Sequence, residues 1–264
     1  MKSNAKLKEI LELLDDSLSI SERFHKKTKY KEKQMKKIKA EIGDPTHWPE
    51  EWKKVYFKGY TRLEEYKLPK PNLSSKFSLK ESLYNRKSLR DFSDRPFLLE
   101  QLGNLLYFSA GLNNNKPPYI INRFYPSDGS RYPLEVYVIS LNVKGLGKGL
   151  YHYYLKSHSL EKLAIFQNLN IQKYFDQDWL DTAAFIIIIT AVFKRTTIKY
   201  GDRGYRHVLI ESGHLCQNIY LLASVLNISC CAIDGFVDDN LNRLLDIDGL
   251  KESVIYTIGG GLKK

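Results

Sequence analysis

The apolar positions of this chain change their period along its length. "LEVYVISLNV" (134–143) alternates apolar and polar residues as a β-strand does, and "KGLGKGLYHYYLKSHSLEKL" (144–163) after it has the form of a hairpin. "AAFIIIITAVF" (183–193) is β-branched and apolar on both faces, which predicts an interior strand. "HVLIESGHLCQNIYLLASVLNI" (207–228) places Val208, Leu215, Ile219, Leu222 and Leu226 at helical spacing. "LLEQLGNLLYFSAGL" (98–112) predicts an amphipathic helix closed by Gly111, and "SLKESLYNRKSLRDF" (78–92) a helix followed by a turn. The strand "SCCAIDGF", the short helix "DDNLNRLLDI" and the strand "SVIYTIGGG" complete the chain.

Upstream, residues 5–42 read as helical, with leucines and isoleucines at 7, 10, 11 and 14 and few Gly or Pro. Gly43 and two prolines in "GDPTHWPEEWKKVYFKGY" break that pattern, and "KLPKPNLSSKF" breaks it again. Trp48, Trp52, Tyr56, Phe57 and Tyr60 need apolar cover, so this part is expected to wrap on the main domain. The expected organisation is α+β, with a mainly helical extension over residues 1–77 and a main domain over 78–264.

Composition adds limits. No apolar run approaches the roughly 20 residues of a membrane span, and the N-terminus lacks the apolar core of a secretory signal. Three cysteines (Cys216, Cys230, Cys231) give neither a disulfide framework nor a zinc spacing, which suits a reducing cytoplasm. The net charge of +11 is concentrated early: residues 1–80 hold 20 Lys/Arg and 12 Asp/Glu, a net +8. The basic residues are interrupted by acids and no nucleic-acid-binding signature accompanies them, so a solvated helical face is the first reading, an acidic peptide or protein partner the second and nucleic acid the last.

Among candidate chemistries, His207, Glu211 and His214 share one helical face, but a di-iron site needs a second Glu-x-x-His unit that the chain lacks. "GLGKGL" lacks the Gly-Lys-Ser/Thr ending of a phosphate-binding loop, and no Gly-x-Ser-x-Gly is present. What remains is dispersed. "NRKSLR" offers Arg86, Lys87, Ser88 and Arg90 at a helix end, residues suited to an anionic phosphate. "PSDG" (Pro126, Ser127, Asp128, Gly129) and "AIDGF" (Asp234, Gly235) offer backbone that a flat ligand can approach. Lys263 and Lys264 end the chain, and "KYGDRGYRH" (199–207) sets a protonatable cluster between two apolar segments.

In this order, these segments resemble the flavin-dependent nitroreductase-fold proteins, and more narrowly the SagB-type thiazoline/oxazoline dehydrogenases. The resemblance runs from about residue 78 onward, through Arg86-x-Ser88-x-Arg90, "PSDGSRYPLEVYV", "GLYHYYLKSHSLEKL", "TAVFKRTTIKYGDRGYRHVLIESGHLCQN" and "AIDGF"; "FHKKTKY" (24–30) resembles a further block. It implies an antiparallel-rich sheet flanked by helices, in an obligate homodimer that binds FMN at the subunit interface. It implies that Arg86, Lys87 and Ser88 hold the FMN phosphate, with Lys263 or Lys264, and that Arg90 meets the pyrimidine edge. It also implies that Pro126–Gly129 packs on the ring from the partner subunit, and that the backbone at Asp234 and Gly235 approaches the flavin N5.

The resemblance further implicates Lys199 and Tyr200 in catalysis. Oxidising an azoline removes a proton from one carbon and a hydride from its neighbour, so one residue of the pair is expected to take the proton and the other to orient it. Both are protonated in water at neutral pH, and Arg203 and Arg206, close in sequence, are candidate activating cations. Departures are Asp128, where a small residue is common, and Asp234 and Val237, where glycine and an acid are frequent. The expected partners are a cyclodehydratase or synthetase complex and its azoline-containing peptide. The alternatives are an NAD(P)H-dependent nitroreductase or quinone reductase, and a non-catalytic scaffold of a synthetase complex.

Overall fold

In a computed structural model of the chain, residues 18–32, 35, 36, 38, 44–73, 78–113 and 122–264 are described. Within them, α1 spans Ile20–Lys27 and α2 is the single turn Glu50–Lys53. The short strand β1 (Glu65–Lys67) precedes α3 (Leu79–Asn85), β2 (Phe97–Leu98) and α4 (Leu99–Ala110). Next come β3 (Leu134–Ser140), β4 (Val143–Lys144), β5 (Gly149–Tyr154), β6 (Ser159–Ile165) and β7 (Phe185–Val192). The chain continues with α5 (Lys194–Tyr200), α6 (Gly204–Val225), β8 (Ile228–Ile233), α7 (Asp238–Leu244) and β9 (Glu252–Leu262).

Seven strands form one sheet in the order β1-β6-β5-β3-β7-β9-β8, and each of its pairings is antiparallel. The isoleucine run makes β7 an interior strand, between β3 and β9, with Ile187 level with Val138 on one side and Ile258 on the other. Alternate residues of β3 and β7 enter different cores. Val136, Val138, Ile187 and Ile189 pack on one face with Leu102, Leu105 and Leu106 of α4 and Leu215 and Ile219 of α6. Tyr137, Ile139, Ile186 and Ile188 pack on the other with Ile171, Leu180, Leu241 and Leu245. The alternation expected in β3 is therefore present, but both faces are covered and all seven of its residues are buried. Burying each such aliphatic side chain contributes roughly 1.5–3 kcal/mol.

Local signals start and stop the helices. Ser78 and Glu81 form a capping box at the start of α3, as Ser19 and Glu22 do for α1. Gly111 ends α4 in extended rather than left-handed backbone. The helix expected over 5–42 lies partly outside the described residues; within them α1 stops at Lys27. The Thr28 hydroxyl turns back onto the Phe24 carbonyl, and Arg203 of the main domain donates to the Thr28 carbonyl at 2.9 Å.

The extension is not only helical: it supplies β1 to the sheet beside β6, packs Leu68, Phe57 and Tyr66 in or against the core, and adds side-chain bonds. The Tyr60 amide donates to Glu161 Oε1 at 2.7 Å, and Lys58 pairs with Glu252 at 2.7 Å. Its described aromatic residues are half-buried, except Tyr56, which is exposed. Among the described residues no helix is long and apolar enough to cross a membrane.

Candidate active site

"KYGDRGYRH" is a helix end, a hinge and a helix start. Lys199 and Tyr200 close α5, Gly201 turns with φ +56°, a conformation that suits glycine, and α6 begins at Gly204. The turn points both side chains at the loop Pro126–Ser130. A methyl group added to Gly129 would lie 2.5 Å from Tyr200 Oη and 3.1 Å from Lys199 Nζ, and Gly129 itself has φ +59°. Any larger residue there would displace the pair.

The two groups are tuned in opposite directions. Burial lowers the Lys199 pKa, and the nearby Arg131 charge lowers it further. Burial and the Asp128 charge push the Tyr200 phenol up to about 12. Lysine is thus moved toward its basic form while tyrosine is held protonated. The cation beside Lys199 is Arg131, not Arg203 or Arg206. Those two reach the extension, where Arg203 stacks on Tyr30 at 4.3 Å and Arg206 donates to the His25 carbonyl at 2.7 Å. Arg131 is buried, and its guanidinium donates to the carbonyls of Arg195, Trp52 and Glu51. It stands in sequence only two residues after Gly129, in "PSDGSRY", the signal that could have found it.

The charge of Asp128 is not left bare. Its carboxylate pairs with His207 Nδ1, and the His207 ring tilts against Tyr200 at 4.9 Å. One turn along α6, the Glu211 carboxyl is buried beside Ser127, and burial pushes its pKa up to about 8. Pro126, Ser127, Asp128, His207, Glu211 and His214 line a cavity of about 90 Å³. Of this His-Glu-His face, His207 holds the "PSDG" loop through Asp128, while Glu211 and His214 wall the cavity beside it.

Arg86, Lys87 and Ser88 gather elsewhere, around Tyr220 of α6. Ser88 Oγ lies 3.0 Å from Tyr220 Oη, and the Arg86 guanidinium lies 5.6 Å from the Tyr220 ring. Tyr220 Oη also accepts the Ala232 amide at 2.8 Å, and the Leu89 amide donates to the Cys230 carbonyl at 2.9 Å. These bonds fix the "NRKSLR" segment on β8, whose end leads directly into the exposed Asp234 and Gly235. Lys87, Tyr220, Asn227 and Lys263 line a cavity of about 400 Å³ with no carboxylate in its wall. Lys264 is turned away and pairs with Asp91 at 2.6 Å. Arg90 is exposed. Tyr220 carried no sequence signal, because between Ile219 and Leu221 it reads as one more core position.

Two ammonium groups, a hydroxyl and an acid-free wall match a phosphate, so these residues fit the phosphate end of FMN. The two clusters sit toward opposite ends of α6. His207 and Tyr220 are thirteen residues apart, about 20 Å along the axis.

The nitroreductase family profile matches residues 83–261. A Methanocaldococcus jannaschii protein assigned to the nitroreductases is 32% identical over 172 residues, 64% of this chain and 84% of its own. The microcin B17-processing protein of Escherichia coli is 29% identical over 138 residues, 50% of this chain and 51% of its own, so the match spans about half of that relative. Among solved structures, an Anabaena variabilis protein assigned to the nitroreductases superposes with a TM-score of 0.68 at 27% identity, covering 92% of this chain and 46% of that one. A chain of the Escherichia coli microcin synthetase complex, solved with a truncated pro-peptide bound, shares the fold at a TM-score of 0.57 and 22% identity, covering 94% of this chain and 98% of that one. With the profile matched across more than half its length and the α+β sheet to go with it, the chain belongs to the nitroreductase family.

Proposed function

We propose that this protein is an FMN-dependent dehydrogenase that oxidises thiazoline or oxazoline rings of a peptide precursor to the aromatic azoles. The observation that carries the reading is the convergence of Lys199 Nζ and Tyr200 Oη on Gly129, with lysine moved toward its basic form by burial and Arg131. Bound FMN supplies the hydride acceptor. Lys199 takes the proton from the neighbouring ring carbon, and Tyr200, held protonated, orients the substrate by donating a hydrogen bond. Arg131, beside the amine, makes the lysine easier to deprotonate.

In this reading Arg86, Lys87, Ser88 and Lys263 hold the FMN phosphate, Arg90 meets the pyrimidine edge, and the backbone at Asp234 and Gly235 faces the ring. Pro126–Gly129 and the Lys199–Tyr200 pair of a second copy complete the site. The distance between the two clusters along α6 supports a site shared by two chains, hence a homodimer. The likeness to a microcin-processing protein supports a peptide substrate delivered by a cyclodehydratase or synthetase complex.

A second reading, a nitroreductase using NAD(P)H, is favoured by the archaeal relative. One experiment separates the two. The purified protein is expected to be yellow, to release FMN identified by mass, and to convert an azoline-containing peptide with a loss of two mass units. Lys199→Ala is expected to keep FMN and lose at least a hundredfold in turnover. Wild-type azoline oxidation by that variant, or NAD(P)H oxidation with no azoline turnover, overturns the proposal.

A further inference from the structure

The ammonium of Lys199 is covered by the protein's own extension. Its Nζ lies 3.4 Å from the centroid of the Trp48 ring and 5.6 Å from that of Trp52, and the residue is 8% exposed. A base that removes a proton from carbon needs that carbon within reach of its lone pair. Here an indole stands against the nitrogen, and an aromatic face favours the charged form of lysine over the basic one.

The segment that carries the indole buries little of itself. The α2 turn has no buried residue, and Trp48 and Trp52 are each half-exposed, in edge-on contact at 6.4 Å. Its attachments to the main domain include two Arg131 bonds, to the carbonyls of Glu51 and Trp52, and the contact of Trp48 with Lys199. Segments with so little buried apolar surface open at low cost. The same turn walls a neighbouring cavity of about 600 Å³, lined by Glu51, Tyr56, Phe57, Lys58, Arg131 and Ile198 among others, which gives it an open side to move along.

We propose that residues Trp48–Lys53 are a strap closed over Lys199, that the Trp48 indole occupies the place of the substrate's flat five-membered ring, and that a peptide carrying that ring displaces the strap. This rests on the reading of Lys199 as the base. The closed strap caps the amine with the face of its own Trp48. The displaced strap exposes the amine beside Arg131 only when a planar ring takes the vacated face. The device selects rings carried in an extended segment, which can push the strap aside, over small free ring compounds.

The test uses the full-length protein and needs no turnover. Lys199 is labelled with an amine-reactive reagent and its rate is followed by mass mapping, with the exposed Lys148 as internal reference. Trp48→Ala is expected to raise Lys199 labelling about fivefold with Lys148 unchanged, and Trp48→Phe to fall between. In the wild type, an azoline-containing peptide is expected to raise amide hydrogen exchange across residues 48–53. Unchanged Lys199 labelling in Trp48→Ala overturns the strap, as does increased protection of 48–53 by the peptide. Faster labelling in a protein that never oxidises azolines keeps the strap and overturns the assignment of its displacing ligand.

Discussion

Tyr220 Oη stands between two partners, accepting the Ala232 amide at 2.8 Å and meeting Ser88 Oγ at 3.0 Å. One hydroxyl thereby joins the "NRKSLR" segment, α6 and the edge strand β8. Tyr220→Phe leaves the Ala232 amide without its acceptor and frees Ser88. The expected loss is about 1–1.5 kcal/mol of FMN binding, roughly tenfold in Kd, with the fold intact by circular dichroism. Unchanged Kd in a flavin titration would falsify the role given to this hydroxyl.

Lys263 and Lys264 are neighbours with different employment. Lys263 lines the acid-free cavity, whereas Lys264 is paired with Asp91. Lys263→Ala is expected to weaken FMN about tenfold, and Lys264→Ala to change it less than twofold. Equal losses in the two variants would place the phosphate elsewhere.

The buried Glu211 carboxyl makes stability depend on pH. Its pKa is raised to about 8 in the folded protein against an ordinary value near 4.5. Between those values the folded state holds a proton that the unfolded state has released, so stability falls as pH rises from about 4.5 to about 8 and levels off above. The full change is on the order of 3–5 kcal/mol, an upper bound. Glu211→Gln is expected to flatten that slope in urea titrations run across the window. A slope that persists in the variant assigns the effect to another group.

His152 lies fully buried between two carboxylates, with Nδ1 2.7 Å from Glu161 and Nε2 3.3 Å from Glu135. Burial opposes its charge, but the two carboxylates outweigh it and raise its pKa. Arg195, 2.5 Å from Glu135, joins His152 in holding that acid down to about 2. Glu161 also accepts the Tyr60 amide, so Glu161→Gln strikes the core and the extension together. The expected cost is about 3 kcal/mol, with faster hydrogen exchange at Tyr60. The stability that the paired His152 contributes is complete below its unfolded pKa, near 6.5, and is lost as pH rises through its raised folded value. Exchange at Tyr60 as slow as in the wild type would show that the extension is held by other bonds.

The α+β class, the hairpin, the interior strand and the long helix were all legible in the sequence, because each is written in a local period. The β-branched run of β7 excludes a solvated face, and the 3.6-residue spacing from Val208 to Leu222 marks α6. The family was legible too, through motifs that keep their order. Which groups meet was not legible, because side-chain convergence depends on packing between distant segments. Trp48 reaches Lys199 across 151 positions, and Arg131, rather than the nearby Arg203 and Arg206, supplies the cation beside it. Tyr220 looked like core until the sheet edge brought Ala232 to one side of its hydroxyl and Ser88 to the other. The sequence by itself determined the elements and the chemistry available to them. Only the tertiary structure decided that α5 and α6 would meet at a positive-φ glycine, which aims Lys199 and Tyr200 at the "PSDG" loop and sets the strap above them.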